Sequence, residues 1–363
     1  MAVGAVRGPL DGIRVVELAS IGPGPHAGMM LADLGAEVVR VQRPGDRAGI
    51  GPMRAQMRGR TFVAADFKDP AAVAEVLALI EKADVLIEGF RPGVAERLGL
   101  GPDEVLARNP RIVYGRMTGW GQRGPRSDRA GHDINYIGLT GALHGIGRKG
   151  ERPVPPINLL GDYGGGSVFL VLGVLSALLE RQRSGQGQVV DAAMVDGVLT
   201  LAHSIISLHQ GGVWSDERGS NLLDTGMAWY DTYATADGRY MAVGAFEPQF
   251  YAELLRVLEL DPESLPQQMD PAGQEVLRKV FTDKFATRTQ DRWCELFDDV
   301  DACVTPVRSW SEAARDEHLR ARGSMVDIDG IRQPAPAPRF SRTPAAVPEP
   351  APAELTPITE IWK

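Results

Sequence analysis

Between residues 13 and 118 the chain repeats one pattern: a β-branched run, a turn, an amphipathic helical stretch, then another β-branched run. IRVVEL (13–18) predicts a strand, 27–34 a helix capped by Gly35, and EVVRVQ (37–42) a second strand. Residues 61–67, 70–83 and 84–88 repeat strand, helix, strand, with Pro70 at the first helical position. Short helices near 94–98 and 102–107 precede a strand at 111–118. Successive parallel strands need crossover connections, and helices supply them in one hand. The recurrence therefore predicts an α/β domain on a parallel sheet.

Beyond Thr118 a loop rich in glycine, arginine and serine delivers His132 to the start of a helix expected over 133–146. A proline-rich turn at 152–156 leads back to Asn158. An apolar helix is expected from Gly164 to about 179–183, a strand at 188–191 and a long helix at 195–210. Asp237-Gly238 between two alternating runs is a hairpin signal. Helices at 248–258, 273–286 and 290–300 complete an α+β unit. Asp329-Gly330 marks a late hairpin, and the seven prolines within 334–352 favour extended chain. The expected division is a large α/β domain at 1–190, completed by about 335–363; a linker at 191–230; a small α+β domain at 231–318; and a second linker at 319–334.

Length and composition narrow the function. A chain of 363 residues exceeds one small core, and 44% apolar with 24% charged residues fits a globular protein. A net charge of −8 opposes a general nucleic-acid surface. Two cysteines, Cys294 and Cys303, give no disulfide framework and no zinc set. Arg7, Asp11, Arg14 and Glu17 interrupt any signal-peptide core, and the apolar run 168–179 is too short to span a bilayer. A cytoplasmic protein without a membrane or nucleic-acid partner is expected.

The chemistry concentrates in 131–167. His132 has a flanking acid, Asp133; further on, Asp162 precedes Tyr163 and three glycines, Gly164, Gly165 and Gly166. Acid and base groups beside a glycine-rich helix start suit proton transfer at an acidified carbon, with backbone N–H groups cradling the oxyanion. From position alone, Asp162 equally reads as an N-cap and His132 as a structural residue. His26, His144, His203, His209 and His318 show no partner and are read as structural. Gly22 and Gly24 begin a dinucleotide fingerprint, but Ala27 occupies the third position, so NAD is not expected. Residues 40–60 carry six arginines (Arg40, Arg43, Arg47, Arg54, Arg58, Arg60) against one acid, Asp46, a local charge of +5. Arginine forks suit phosphates, which predicts a polyanion site there.

Six stretches, GPLDGIRVVEL, IGPGPHAGMMLADLGAEVVRV, IEGFRPG, GHDINY, PPINLLGDYGGG and GQGQVVDAAMVDG, resemble the family III CoA-transferases over essentially the whole chain. EPQFY after the small-domain hairpin is similar to the α-methylacyl-CoA racemase branch. The resemblance implies that His132 and Asp162 are opposed acid/base groups and that Glu247 pairs with the histidine. It also implies that Ile21, Arg43, Ala65, Lys68, Arg91, Arg97, Tyr136 and Asn158 contact the CoA thioester. The implied fold is a large parallel-sheet CoA-binding domain plus a small α+β domain, interlaced as a homodimer. Each active site would lie between the large domain of one subunit and the small domain of the other. No cofactor is implied, since CoA is part of the substrate. The implied reaction is racemisation of 2-methyl-branched acyl-CoA. Transfer of CoA with Asp162 as nucleophile, or acyl-CoA binding without catalysis, remain alternatives. In place of the transferases' glycine-rich loop, the chain has Glu247-Pro248-Gln249.

Overall fold

The structure, a computed structural model, describes residues 7–46, 51 and 53–363. The chain forms two compact units, Met1–Thr140 with Pro156–Ala202 and Glu317–Lys363, and Gly141–Pro155 with His203–Asp316.

The larger unit is built on β1 (Arg14–Leu18), α1 (Pro23–Asp33), β2 (Glu37–Gln42), β3 (Arg60–Ala64), α2 (Pro70–Ile80), β4 (Val85–Glu88), α3 (Val94–Arg97), α4 (Pro102–Arg108), β5 (Val113–Thr118), α5 (Asp133–Leu139), α6 (Val168–Ser184), β6 (Gln188–Ala193) and α7 (Met194–Leu201). The sheet has six parallel strands in the order β3-β2-β1-β4-β5-β6. Val15, Val38, Val85 and Val113 face α1 and α6, meeting Ala27, Leu31, Leu170 and Val174. Val16, Val39, Leu86 and Tyr114 face the other way, onto Val76, Leu77 and Ile80 of α2 and onto Ile361 near the C-terminus. Burial on both faces is why these strands read as continuous apolar runs.

Charge interrupts that pattern inside the sheet. Glu17 on β1 accepts hydrogen bonds from Arg40 on β2 and Arg60 on β3, and all three are buried. Arg58, also buried, pairs with Asp33 at 2.6 Å. The expected polyanion site at 40–60 is narrowed accordingly: Arg40, Arg58 and Arg60 neutralise buried carboxylates. Losing one partner of such a pair costs about 3–5 kcal/mol. Arg54 meets Asp329 at 3.3 Å, Arg43 is exposed just past β2, and Arg47 lies outside the described residues.

Several elements differ in extent. α1 starts at Pro23, because proline in the first turn forfeits no hydrogen bond. α5 stops at Leu139, well short of 146, and Gly141 leaves it at φ +84°. The expected single helix at 195–210 is two, α7 and α8 (His203–Gln210). The stretch 191–230, expected as a linker, thus holds the end of β6 and both of these helices. The helix expected from Gly164 starts at Leu159 and opens with a π-helical segment, Leu159–Ser167. By length and composition alone, the continuous helix Leu159–Ser184 is long and apolar enough to cross a bilayer. Leu170, Val171, Val174, Ala177 and Leu178 bury one side of it in the core.

In the smaller unit, β7 (Tyr230–Ala234) and β8 (Tyr240–Gly244) pair antiparallel around Gly238, which sits at φ +75°, and β9 (Val304–Pro306) extends the sheet. Helices α9 (Pro248–Val257), α10 (Gln274–Phe285) and α11 (Gln290–Phe297) close a core containing Trp229, Phe281, Phe285 and Trp293. Arg148 reaches Asp231 at 2.7 Å and so ties 141–155 to this unit.

Candidate active site

α1 carries the chain from β1 to β2, while β4 lies on β1's other side. The connections diverge there and open a crevice beyond the carboxyl ends of the strands. A cavity of about 310 Å³ fills it. The exit from β1 contributes Ile21 and Gly22, that from β4 Phe90 and Arg91, and that from β5 Gly119 and Trp120. His132, Tyr136 and Asp162 complete the wall.

Asp162 is half-buried inside the π-helical segment. Its carboxylate accepts a hydrogen bond from Asn158 Nδ2 at 3.0 Å. Burial holds its pKa above the usual carboxylate range. The charge of Asp133 adds to the rise, while the Asn158 hydrogen bond and His132 oppose it.

Beneath it, Asp133 is buried, and its Oδ2 accepts the N–H groups of Gly161 at 2.6 Å and Asp162 at 2.8 Å. The expected oxyanion cradle is therefore corrected, since Asp162 and residues 164–166 lie inside the helical segment Leu159–Ser167 rather than at a helix start. The glycines serve packing instead. A Cβ on Gly165 would stand 2.8 Å from Val198 N and 3.0 Å from Met194 O, and one on Gly197 would strike the Gly165 carbonyl. Sequence reading missed Asp133 as a clamp; its place beside His132 was the only signal, and its partners lie far along the chain.

His132 is exposed at the N-cap of α5, where its N–H donates to Asn135 Oδ1 at 3.0 Å. Tyr136, one turn on, is buried edge-on against Trp120, with ring centroids 4.7 Å apart. Its phenol is pushed up by burial and by Asp162, against the pull of Arg91. Gly119 and Gly131 make room for the ring, since a Cβ at either would run into it.

Ile21, Arg91, His132, Tyr136 and Asp162 thus meet at one cavity, with Asn158 bonded to Asp162. Arg43, Ala65, Lys68 and Arg97 are not part of its lining. Arg43 and Ala65 directly follow β2 and β3, and the Ala65 N–H bonds the Gln42 carbonyl at 2.9 Å. Lys68 and Arg97 are exposed. Glu247 belongs to the smaller unit, exposed at the N-cap of α9. Among the described residues, no group of three or more His, Cys, Asp or Glu side chains is placed to hold a metal ion. A carboxyl whose pKa burial raises and an imidazole line the same cavity, the group types that take and return protons in general acid–base chemistry.

Residues 10–354 match the family model described as CoA-transferase family III. Over 337 residues the chain is 49% identical to an alpha-methylacyl-CoA racemase of Mus musculus and 45% identical to one of Homo sapiens, covering 93% of this chain and 87% of each relative. It is also similar to the crystal structure of a CaiB/BaiF family protein from Brucella suis, with 27% identity and a TM-score of 0.84, covering 96% of this chain and 97% of that one. Matched in sequence and in fold over nearly its whole length, the chain belongs to CoA-transferase family III.

Proposed function

We propose that this protein interconverts the 2R and 2S forms of 2-methyl-branched acyl-CoA thioesters, without a cofactor. One observation carries the reading: two proton-exchanging groups, Asp162 and His132, line the same cavity at the carboxyl ends of the strands. The identity to two relatives named as racemases supports it.

A thioester makes the α-carbon a weak acid, because the resulting anion is delocalised as an enolate. Asp162 takes or returns the proton on one face and His132 on the other. Burial makes Asp162 a stronger base than an exposed carboxylate. Asn158 fixes the carboxylate's orientation. Arg91 on the cavity wall, with Arg43, Lys68 and Arg97 beyond it, meets the phosphates of CoA; Ala65 borders the nucleotide, and Ile21 and Tyr136 border the thioester. Glu247 orients the His132 imidazole. The pairing belongs to the interlaced homodimer that the family resemblance implies, with Glu247 supplied by a second copy.

Incubation with a 2-methylacyl-CoA in deuterium oxide, with a free carboxylic acid present, tests the reading. Racemisation puts deuterium at the α-carbon and leaves the thioester intact. Exchange of CoA onto the free acid would make Asp162 a nucleophile instead. Neither outcome would leave a binding protein.

A further inference from the structure

The helix bearing Asp162 keeps π geometry over nine residues, Leu159–Ser167. Such geometry is rare and mostly a single turn, so a run of this length needs something local to hold it. In α register the Ser167 N–H would bond the Tyr163 carbonyl, four residues back. Here the Val168 N–H takes that carbonyl, five residues back. The Ser167 hydroxyl donates to the same oxygen at 3.0 Å, covering the acceptor that an α-register N–H would use. With its proton committed there, the hydroxyl accepts from Nδ1–H of His26 at 2.7 Å. The His26 ring lies 4.5 Å from the Tyr163 ring, and Ser167 is fully buried. Burial and the nearby Arg60 and Arg58 hold the pKa of this imidazole below its usual value. His26, expected to have no partner, thus has two.

We propose that His26 and Ser167 are positioning residues that lock the π register of this segment and thereby aim the Asp162 carboxyl into the cavity. The proposal rests on the reading of Asp162 as a proton-transfer group. Collapse to α register removes one residue's worth of rotation, about 100°, and turns Asp162 off the cavity wall.

The test compares Ser167→Ala, His26→Leu and His26→Asn with wild type and Asp162→Ala, by steady-state kinetics and by α-proton exchange in deuterium oxide on each enantiomer. Ser167→Ala and His26→Leu should lower kcat roughly 10- to 100-fold, the scale of an ångström's misplacement, with KM changed less than about twofold. They should depress exchange with the enantiomer that Asp162→Ala affects and spare the other. His26→Asn restores a donor near the Nδ1 position and should recover most of the rate. Wild-type kcat in both Ser167→Ala and His26→Leu would overturn the lock. So would an equal loss of exchange with both enantiomers, which marks a merely structural role. If Asp162→Ala spares exchange with both enantiomers, the reading of Asp162 has failed instead. A crystal structure of Ser167→Ala then decides on the lock: α register at 159–167 supports it, and an unchanged π segment refutes it.

Discussion

At Asp162, burial and hydrogen bonding pull the carboxyl in opposite directions, and burial prevails. A carboxyl whose pKa is raised by folding binds its proton more tightly in the folded state, so stability falls as pH rises from its unfolded to its folded value. Asp162→Asn should therefore melt higher than wild type at neutral pH. The gap should close below the ordinary carboxylate pKa of about 3.9. Equal melting temperatures at neutral pH would contradict the raised value. Asp133 yields a second prediction. Asp133→Ala leaves the buried N–H groups of Gly161 and Asp162 without their acceptor, at about 1–3 kcal/mol for each unsatisfied group. Asp133→Asn retains an accepting oxygen and should lose less. Denaturant titration with kcat measured alongside checks the order; equal losses would assign the effect to charge alone. Neither feature was legible in the sequence. Asp133 stands next to His132 in the chain, whereas its partners come from another helix.

Among elements, the parallel strands were legible because burial on both faces makes Val15–Val16 and Leu86–Ile87 plain apolar runs. Glu17, Arg40 and Arg60 were not, since a buried ion triad and a solvated arginine loop have the same composition. The three glycines after Asp162 suggested exposed N–H groups, a reading that fits any glycine-rich helix start. Their packing role depends on α7, whose Gly197 answers Gly165. The π register left no trace in residue spacing, because LLGDYGGGS carries only two aliphatic side chains, Leu159 and Leu160, too few to define a period. Gly165→Ala should force α7 away from the π segment and cost about 1–3 kcal/mol or more. Thermal melts check the stability, and kcat should fall with it; an unperturbed, fully active variant would refute the close-packing account.

For the whole molecule, the family and the α/β plan were legible from motifs spread along the chain, while the boundaries of the units were not. Residues 141–155 join the smaller unit through Arg148 and Asp231, an ion pair between segments far apart in sequence. On α6, Val168, Leu172 and Leu179 are exposed apolar side chains, consistent with the proposed homodimer, whose folded monomer should not persist. Sedimentation showing a stable, active monomer at low concentration would sink that assembly. Racemisation itself is a claim about two faces of one carbon. The decisive measurement is NMR of α-proton loss in deuterium oxide, run separately on the 2R and 2S thioesters with His132→Ala and Asp162→Ala. Each variant should lose inversion yet keep exchange with one enantiomer, opposite in the two, and Glu247→Gln should give a milder form of the His132→Ala result. Loss or retention of exchange with the same enantiomer in both variants would contradict two opposed bases.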